Sequence, residues 1–345
     1  MASQTVDVRS DTVTRPTPAM LQAMMEAAVG DDVLGEDETV NALQREAAEL
    51  FGKEAALFCP SGTMTNQIGI KVHVRPGDEV ICHELAHVYL YEGGGIAANS
   101  GASVRLLSGE RGRFSAGQVR DAINRRDDAH LPWTRLVTLE DTVNKGGGCC
   151  WDLQEIARIR TVCSEHQLAL HLDGARLFNA LVARNEAPRD YGHLFDTLSV
   201  CLSKGLGAPA GSLLLGSREL IGRALRYRKL MGGGMRQAGY LAAAGRFALE
   251  HHVGRLAEDH ARARTLAAEL PALPYVESVL PVETNIVIFT LGDSITGEAF
   301  LRKLKEQGVL ASSMGRQTIR IVFHLDVSDS HMETLRRALQ RAAAG

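Results

Sequence analysis

The sequence has no apolar run approaching the ~20 residues a helix needs to cross a bilayer, so no membrane-spanning segment is expected. Residues 1–11 lack a basic stretch followed by an apolar one, and no secretory leader is expected. Positive charge is not in excess. The 38 Lys and Arg stand against 41 Asp and Glu, for a net charge of −3 and a pI near 6.5. The basic residues are spread along the chain, so neither nucleic acid nor a membrane surface is an expected partner. The six cysteines include no Cys-x-x-Cys pair, and Cys149 and Cys150 are adjacent, poor geometry for a zinc site or a routine disulfide. Reduced, buried thiols, no metal and a cytoplasmic location are therefore expected. Internal repeats and low-complexity segments are also missing.

What is present is an alternation of strand-like and helical patterns. A chain of 345 residues can hold one large domain and a smaller one. Apolar runs at Ala55–Cys59, Glu79–Cys82, Ser103–Leu107, Leu136–Leu139, Leu168–Leu172, Thr197–Leu202 and Ser212–Leu215 read as strands. The segment after Trp151 reads as a helix, with Asp152 as N-cap and Leu153, Ile156, Ala157 and Cys163 on one face. Such alternation implies an α/β fold with a mostly parallel central sheet covered by helices, whose ligands gather at the C-terminal strand ends. After about Gly254 a long helical stretch leads to Pro271 and Pro274, then to strand candidates Asn285–Thr290 and Thr318–Phe323. The expected division is a large domain over residues 1–254 and a small α+β domain over 255–345.

Two positions carry the chemistry. Lys204 follows the run Thr197–Leu202, and Asp173 closes the run Leu168–Leu172 in Asp-Gly-Ala-Arg. A lysine and an acid at neighbouring strand ends suit pyridoxal phosphate: the amine forms a Schiff base with the aldehyde, and the carboxylate keeps the pyridine nitrogen protonated. Ser61-Gly62-Thr63 lies between a strand and a helix, where free N–H groups can hold a phosphate, or where the serine merely caps the helix. His87 stands four residues after His83 in a His-Glu-x-x-His pattern that could ligate zinc on one long helix. The competing reading stacks the His87 imidazole on the cofactor ring, free to transfer protons. Arg176 is either a salt-bridge former or an anion ligand, and Arg320 either faces solvent or binds a substrate carboxylate. His130, beside Asp127 and Asp128, has by itself the look of a surface residue.

Taken together these residues resemble the low-specificity L-threonine aldolases, a branch of the β-eliminating lyase group of fold-type I pyridoxal phosphate enzymes. The resemblance runs from Val6 to at least Asp326. It rests on Arg9-Ser10-Asp11-Thr12-Val13-Thr14-Arg15-Pro16, Gly30-Asp31-Asp32-Val33, Asn41-Ala42-Leu43-Gln44, Pro60-Ser61-Gly62-Thr63 and His171-Leu172-Asp173-Gly174-Ala175-Arg176. Leu202-Ser203-Lys204-Gly205-Leu206-Gly207, Gly232-Gly233-Gly234-Met235-Arg236-Gln237 and His324-Leu325-Asp326-Val327 complete it.

The resemblance implies Lys204 as the Schiff-base lysine, Asp173 as the pyridine-nitrogen partner, and Ser61, Gly62 and Thr63 as the phosphate seat. It implies His87 stacked on the ring, His130 at the substrate β-hydroxyl, and Ser10, Arg176 and Arg320 as the carboxylate clamp. Lys229 and Arg236 would reach the phosphate region of a neighbouring subunit, in a homotetramer built as a dimer of dimers. The implied reaction is cleavage of L-threonine, L-allo-threonine and related β-hydroxy-α-amino acids to glycine and an aldehyde. A β-eliminating lyase or an aminotransferase acting on another amino acid is the alternative. Two departures stand out: the family often reads Glu-Asn-Thr-His where this chain has Glu140-Asp141-Thr142-Val143, and the stretch Gly146–Cys150 is unusual. The first is expected to alter polarity near the ring.

Overall fold

The structure, a computed structural model, describes residues 5–343. Its strands are β1 (Val6–Asp7), β2 (Ala55–Cys59), β3 (Glu79–His83), β4 (Ser103–Leu107), β5 (Thr134–Glu140), β6 (Ala169–Gly174), β7 (Thr197–Cys201), β8 (Ser212–Gly216), β9 (Val276–Val279), β10 (Ile286–Leu291), β11 (Val309–Leu310), β12 (Ser312–Ser313) and β13 (Thr318–Val322). Seven of them form one sheet in the order β2-β8-β7-β6-β5-β3-β4, parallel except for β8, which runs antiparallel to both neighbours. Strands β3, β7 and β8 are buried along their whole length, which is why they read as near-continuous apolar runs. The α/β class and the parallel sheet are as the sequence implied.

A second sheet, β12-β13-β10-β9, is antiparallel and packs with the helices Leu256–Glu269, Gly297–Glu306 and Asp329–Ala343 around Phe289, Phe300, Ile319 and Phe323. The N-terminal segment joins this C-terminal body. β1 pairs in parallel with β11, and Val6 and Val8 enter the same core. The division at residue 254 thus differs from the packing for residues 6–8. Two-residue strands carry too little periodicity to be read from sequence. The arrangement matters because Val322 donates its N–H to the Val8 carbonyl, which straps the following residues, Ser10 and Asp11, across toward the large sheet.

All six cysteines are free and buried, in line with the expectation of reduced thiols. Among the described residues no helix is long and apolar enough to cross a membrane.

Candidate active site

The parallel register sets Glu140 of β5 beside Asp173 of β6, and Asp173 beside Ser199 of β7. Glu140 and Asp173 sit at the C-terminal ends of their strands and Ser199 in the middle of β7, and the three share a face because paired positions on parallel strands point the same way. The helix Gly62–Lys71 covers that face. Its Thr65 hydroxyl lies 2.6 Å from Ser199 Oγ, and His171, two residues before Asp173, packs under Gly69. Ser61 caps this helix by accepting the Met64 N–H at 3.2 Å. A Cβ on Gly62 would lie 2.9 Å from Cys201 Sγ, so the helix start abuts the strand end that leads into Lys204. Ser61 and Thr63 are exposed, and the first helical N–H groups point out of the fold where an anion is favoured.

Asp173 is the most telling residue. Its Oδ1 accepts the Ala175 N–H at 3.1 Å, while Oδ2 is buried without a partner. An unpaired buried carboxylate oxygen is costly unless a ligand completes it. Close by, His87 Nδ1 lies 3.0 Å from Glu92 Oε1, and ligand atoms of His87, Glu92 and Asp173 fall within 4.8 Å of one another. Glu92 is itself held by Asn66 and Gln67 of the covering helix, at 2.9 and 2.6 Å. Burial pushes the His87 imidazole down, but the Glu92 hydrogen bond and the charges of Asp173, Glu92 and Glu140 outweigh it and raise its pKa. Lys204 Nζ makes no hydrogen bond or ion pair among the described residues. An unpartnered acid, a free amine at the next strand end and an open helix start fit the three polar ends of pyridoxal phosphate: ring nitrogen, aldehyde and phosphate.

Opposite lies a cationic end. Arg176, buried at the start of the helix Leu177–Arg184, donates from Nε and Nη2 to Asp11 at 2.7 Å each. Despite burial, Arg176 and then Lys204 hold the Asp11 carboxyl at about 2. Arg176 is therefore largely a salt-bridge former, and of its three nitrogens only Nη1 is left for a substrate. Arg320 of β13 donates from Nη1 to Asn144 Oδ1 at 2.8 Å and from Nη2 to the Arg9 carbonyl at 3.1 Å. Its Nε is buried without a partner. Burial and then the nearby Arg176 charge lower the Arg320 pKa, as two cations facing one space must. Ser10 caps the short turn Asp11–Val13, accepting the Thr12 N–H.

Three expected site residues are not brought together. His130 is exposed in the connection before β5, its N–H bonded to Asp128. That is the far end of the strand from Glu140, roughly 20 Å away at ~3.3 Å per residue. Within one chain it does not reach the site, because the loop feeds the N-terminal edge of the sheet. Lys229 and Arg236 are also exposed, and Arg236 Nη1 is bonded to Asp31 at 2.8 Å. The His83–His87 zinc pattern is likewise not formed. His83 ends β3 and turns its ring nitrogens to the Gly109 carbonyl and the Leu85 N–H, while His87 opens a separate helix. The departure at Asp141 and Val143 also lies elsewhere than expected. Asp141 bonds to Tyr191 on the other face of the sheet, and Val143 packs against Gly112.

Sequence reasoning missed Asp11, Glu92, Glu140 and Asn144. The available signal for Asp11 was its place next to Ser10 in an acidic-basic motif that had to pair somewhere once buried.

Residues 7–294 match the model of the β-eliminating lyase family. The chain belongs to that family. Within it, the chain is 44% identical to the low specificity L-threonine aldolase of Escherichia coli K12, over 94% of this chain and 95% of that protein. It is 40% identical to the low-specificity L-threonine aldolase 1 of Arabidopsis thaliana, over 99% of this chain and 97% of that one. The Leishmania major threonine aldolase structure has the same fold, with a TM-score of 0.85 at 22% identity, covering 98% of this chain and 99% of that chain.

Proposed function

We propose that the chain is a pyridoxal phosphate-dependent aldolase that cleaves L-threonine, L-allo-threonine and related β-hydroxy-α-amino acids to glycine and an aldehyde. The unpartnered Asp173 Oδ2, next to His87 and one strand from the Lys204 segment, is the observation that carries this reading. Lys204 would hold the cofactor aldehyde, Asp173 its ring nitrogen, and Ser61, Gly62 and Thr63 its phosphate. Bound there, the cofactor supplies an electron sink for the pair released when the Cα–Cβ bond breaks.

The chain's own residues orient and deprotonate. Arg320, with Ser10 and the remaining Arg176 nitrogen, binds the substrate carboxylate, which fixes which bond at Cα lies across the ring. His87 gives Nδ1 to Glu92 and so keeps Nε2 for the proton of the β-hydroxyl. The assignment of bond cleavage rather than elimination or amino transfer rests on the similarity to aldolases over nearly the whole chain.

A homotetramer with shared sites, in the cytoplasm, belongs to the same reading. Leu225, Lys229 and Leu230 line one surface hollow with Val33 and Gly234, and Leu34 and Met25 are exposed as well. Apolar exposure of that extent suits a second copy. Such a copy would bring Lys229, Arg236 and His130 to a site they do not reach in their own chain.

The test supplies purified protein with pyridoxal phosphate and L-threonine and follows acetaldehyde through a coupled dehydrogenase, with L-allo-threonine and D-threonine in parallel. Acetaldehyde from the L-isomers alone is expected. Pyruvate with ammonia, or turnover only with an added keto acid, would replace the aldolase by the lyase or the aminotransferase.

A further inference from the structure

Glu140 is buried at the end of β5, and both of its carboxylate oxygens are engaged by backbone donors. Oε2 accepts the His87 N–H at 2.8 Å and Oε1 accepts the Asn144 N–H at 2.9 Å. The Asn144 side chain then accepts Arg320 Nη1 at 2.8 Å. One carboxylate thus connects three elements: the short helix His87–Leu90, the turn after β5, and β13 of the C-terminal body. Asn144 is bonded at both ends, by its backbone to Glu140 and by its side chain to Arg320, so a shift of the turn must swing the guanidinium. Arg9 contributes only a carbonyl from the other side, and Arg320 Nε is left facing a buried space.

We propose that Glu140 and Asn144 are positioning residues that hold Arg320 for the substrate carboxylate and fix it relative to His87. This rests on the reading that Arg320 takes that carboxylate. Glutamine at 140 matches glutamate in size but must turn an NH2 group toward one of two N–H donors, which loses one hydrogen bond and opposes two donors. Removal of the Asn144 side chain leaves the backbone bond to Glu140 and frees Arg320 alone.

Glu140→Gln, Asn144→Ala and the double variant are compared with the wild type as holoenzymes. The readouts are kcat, KM for L-threonine, and the Kd for glycine, taken from the visible absorbance of the cofactor. A misplaced charged hydrogen bond is expected to raise KM and the glycine Kd about tenfold in each single variant, with kcat within about threefold. Because both residues act through one chain of contacts, the double variant is expected to be no weaker than the weaker single one. Unchanged KM and Kd in Asn144→Ala would overturn the proposal. So would losses that add in the double variant. Asn144 is only half-buried, so its variant decides the matter even where Glu140→Gln fails to fold. A role confined to stability would lower Tm and leave KM and Kd in place. Should no protein release acetaldehyde, the aldolase reading fails while the glycine titration still decides for or against Glu140 and Asn144.

Discussion

Two aspartates near the C-terminal edge of the central sheet meet opposite fates. Asp173 points to the face covered by the helix Gly62–Lys71, with one oxygen on a backbone N–H and the other unpartnered. Asp141, whose own N–H donates to the Asp173 carbonyl, points to the other face; its Oδ2 bonds to the Tyr191 hydroxyl at 3.1 Å and its Oδ1 is likewise buried without a partner, so what separates the two is their surroundings. Beside Asp173 stands His87, whose imidazole pKa the Asp173 carboxylate helps to raise. Around Asp141 the Arg184 charge favours the ionised form, but burial and the Glu186 carboxylate outweigh it. Burial pushes its carboxyl up to about 8, and it is neutral at physiological pH. The Tyr191 hydroxyl stands between two acids, with Asp141 Oδ2 and Glu186 Oε2 as its acceptors at 3.1 and 2.9 Å. Alternation along β5 and β6 therefore separates a ligand-binding face from a packing face within a single strand spacing.

The same substitution at both positions breaks this comparison most sharply. Asp173→Asn keeps the size and removes the charge that a pyridine nitrogen needs. A fall in kcat of about 10²- to 10³-fold is expected, the magnitude seen when one preorganised electrostatic partner is lost. Asp141→Asn is expected to leave kcat within about twofold. Equal losses at both positions in steady-state assays would erase the distinction between the faces.

The smaller effect lies in stability. In the unfolded chain Asp141 ionises near the ordinary carboxylate value of about 3.9, whereas in the fold it keeps its proton up to about 8. The folded state therefore binds more protons in that window. Its stability declines as pH rises from about 4 to about 8 and is level above, as far as this group is concerned. Asparagine removes that penalty. Asp141→Asn is expected to raise Tm by about 2–5 °C at pH 8.5 and hardly at all near pH 4. A gain of the same size at both pH values would mean that Asp141 is not held neutral.

Much of the fold was legible because most strands of the large sheet are buried and read as apolar runs; the seven large-sheet candidates fall on β2 to β8 within one or two residues, the largely exposed edge strand β4 included. β1, β11 and β12 were not legible, since two residues carry no period. The site divides in the same way. Lys204, Asp173 and Ser61–Thr63 stand at strand and helix ends, where local pattern locates them. Asp11 is found only through Arg176, 165 positions away, and Glu140 only through backbone donors that have no side-chain signature. His130 shows the converse. By itself it reads as a surface residue, only the resemblance implied a role, and the connection that carries it runs to the N-terminal edge of its own chain's sheet.

The central claim is that the Lys204 amine is the cofactor's point of attachment. Reduction of the pyridoxal phosphate-loaded protein with borohydride, followed by peptide mapping, tests it without any assumption about substrate. The expected result is one label on the peptide that carries Lys204, absent from Lys204→Ala, with that variant folded and inactive. A label on another lysine, or cleavage of L-threonine by Lys204→Ala near the wild-type rate, would contradict it.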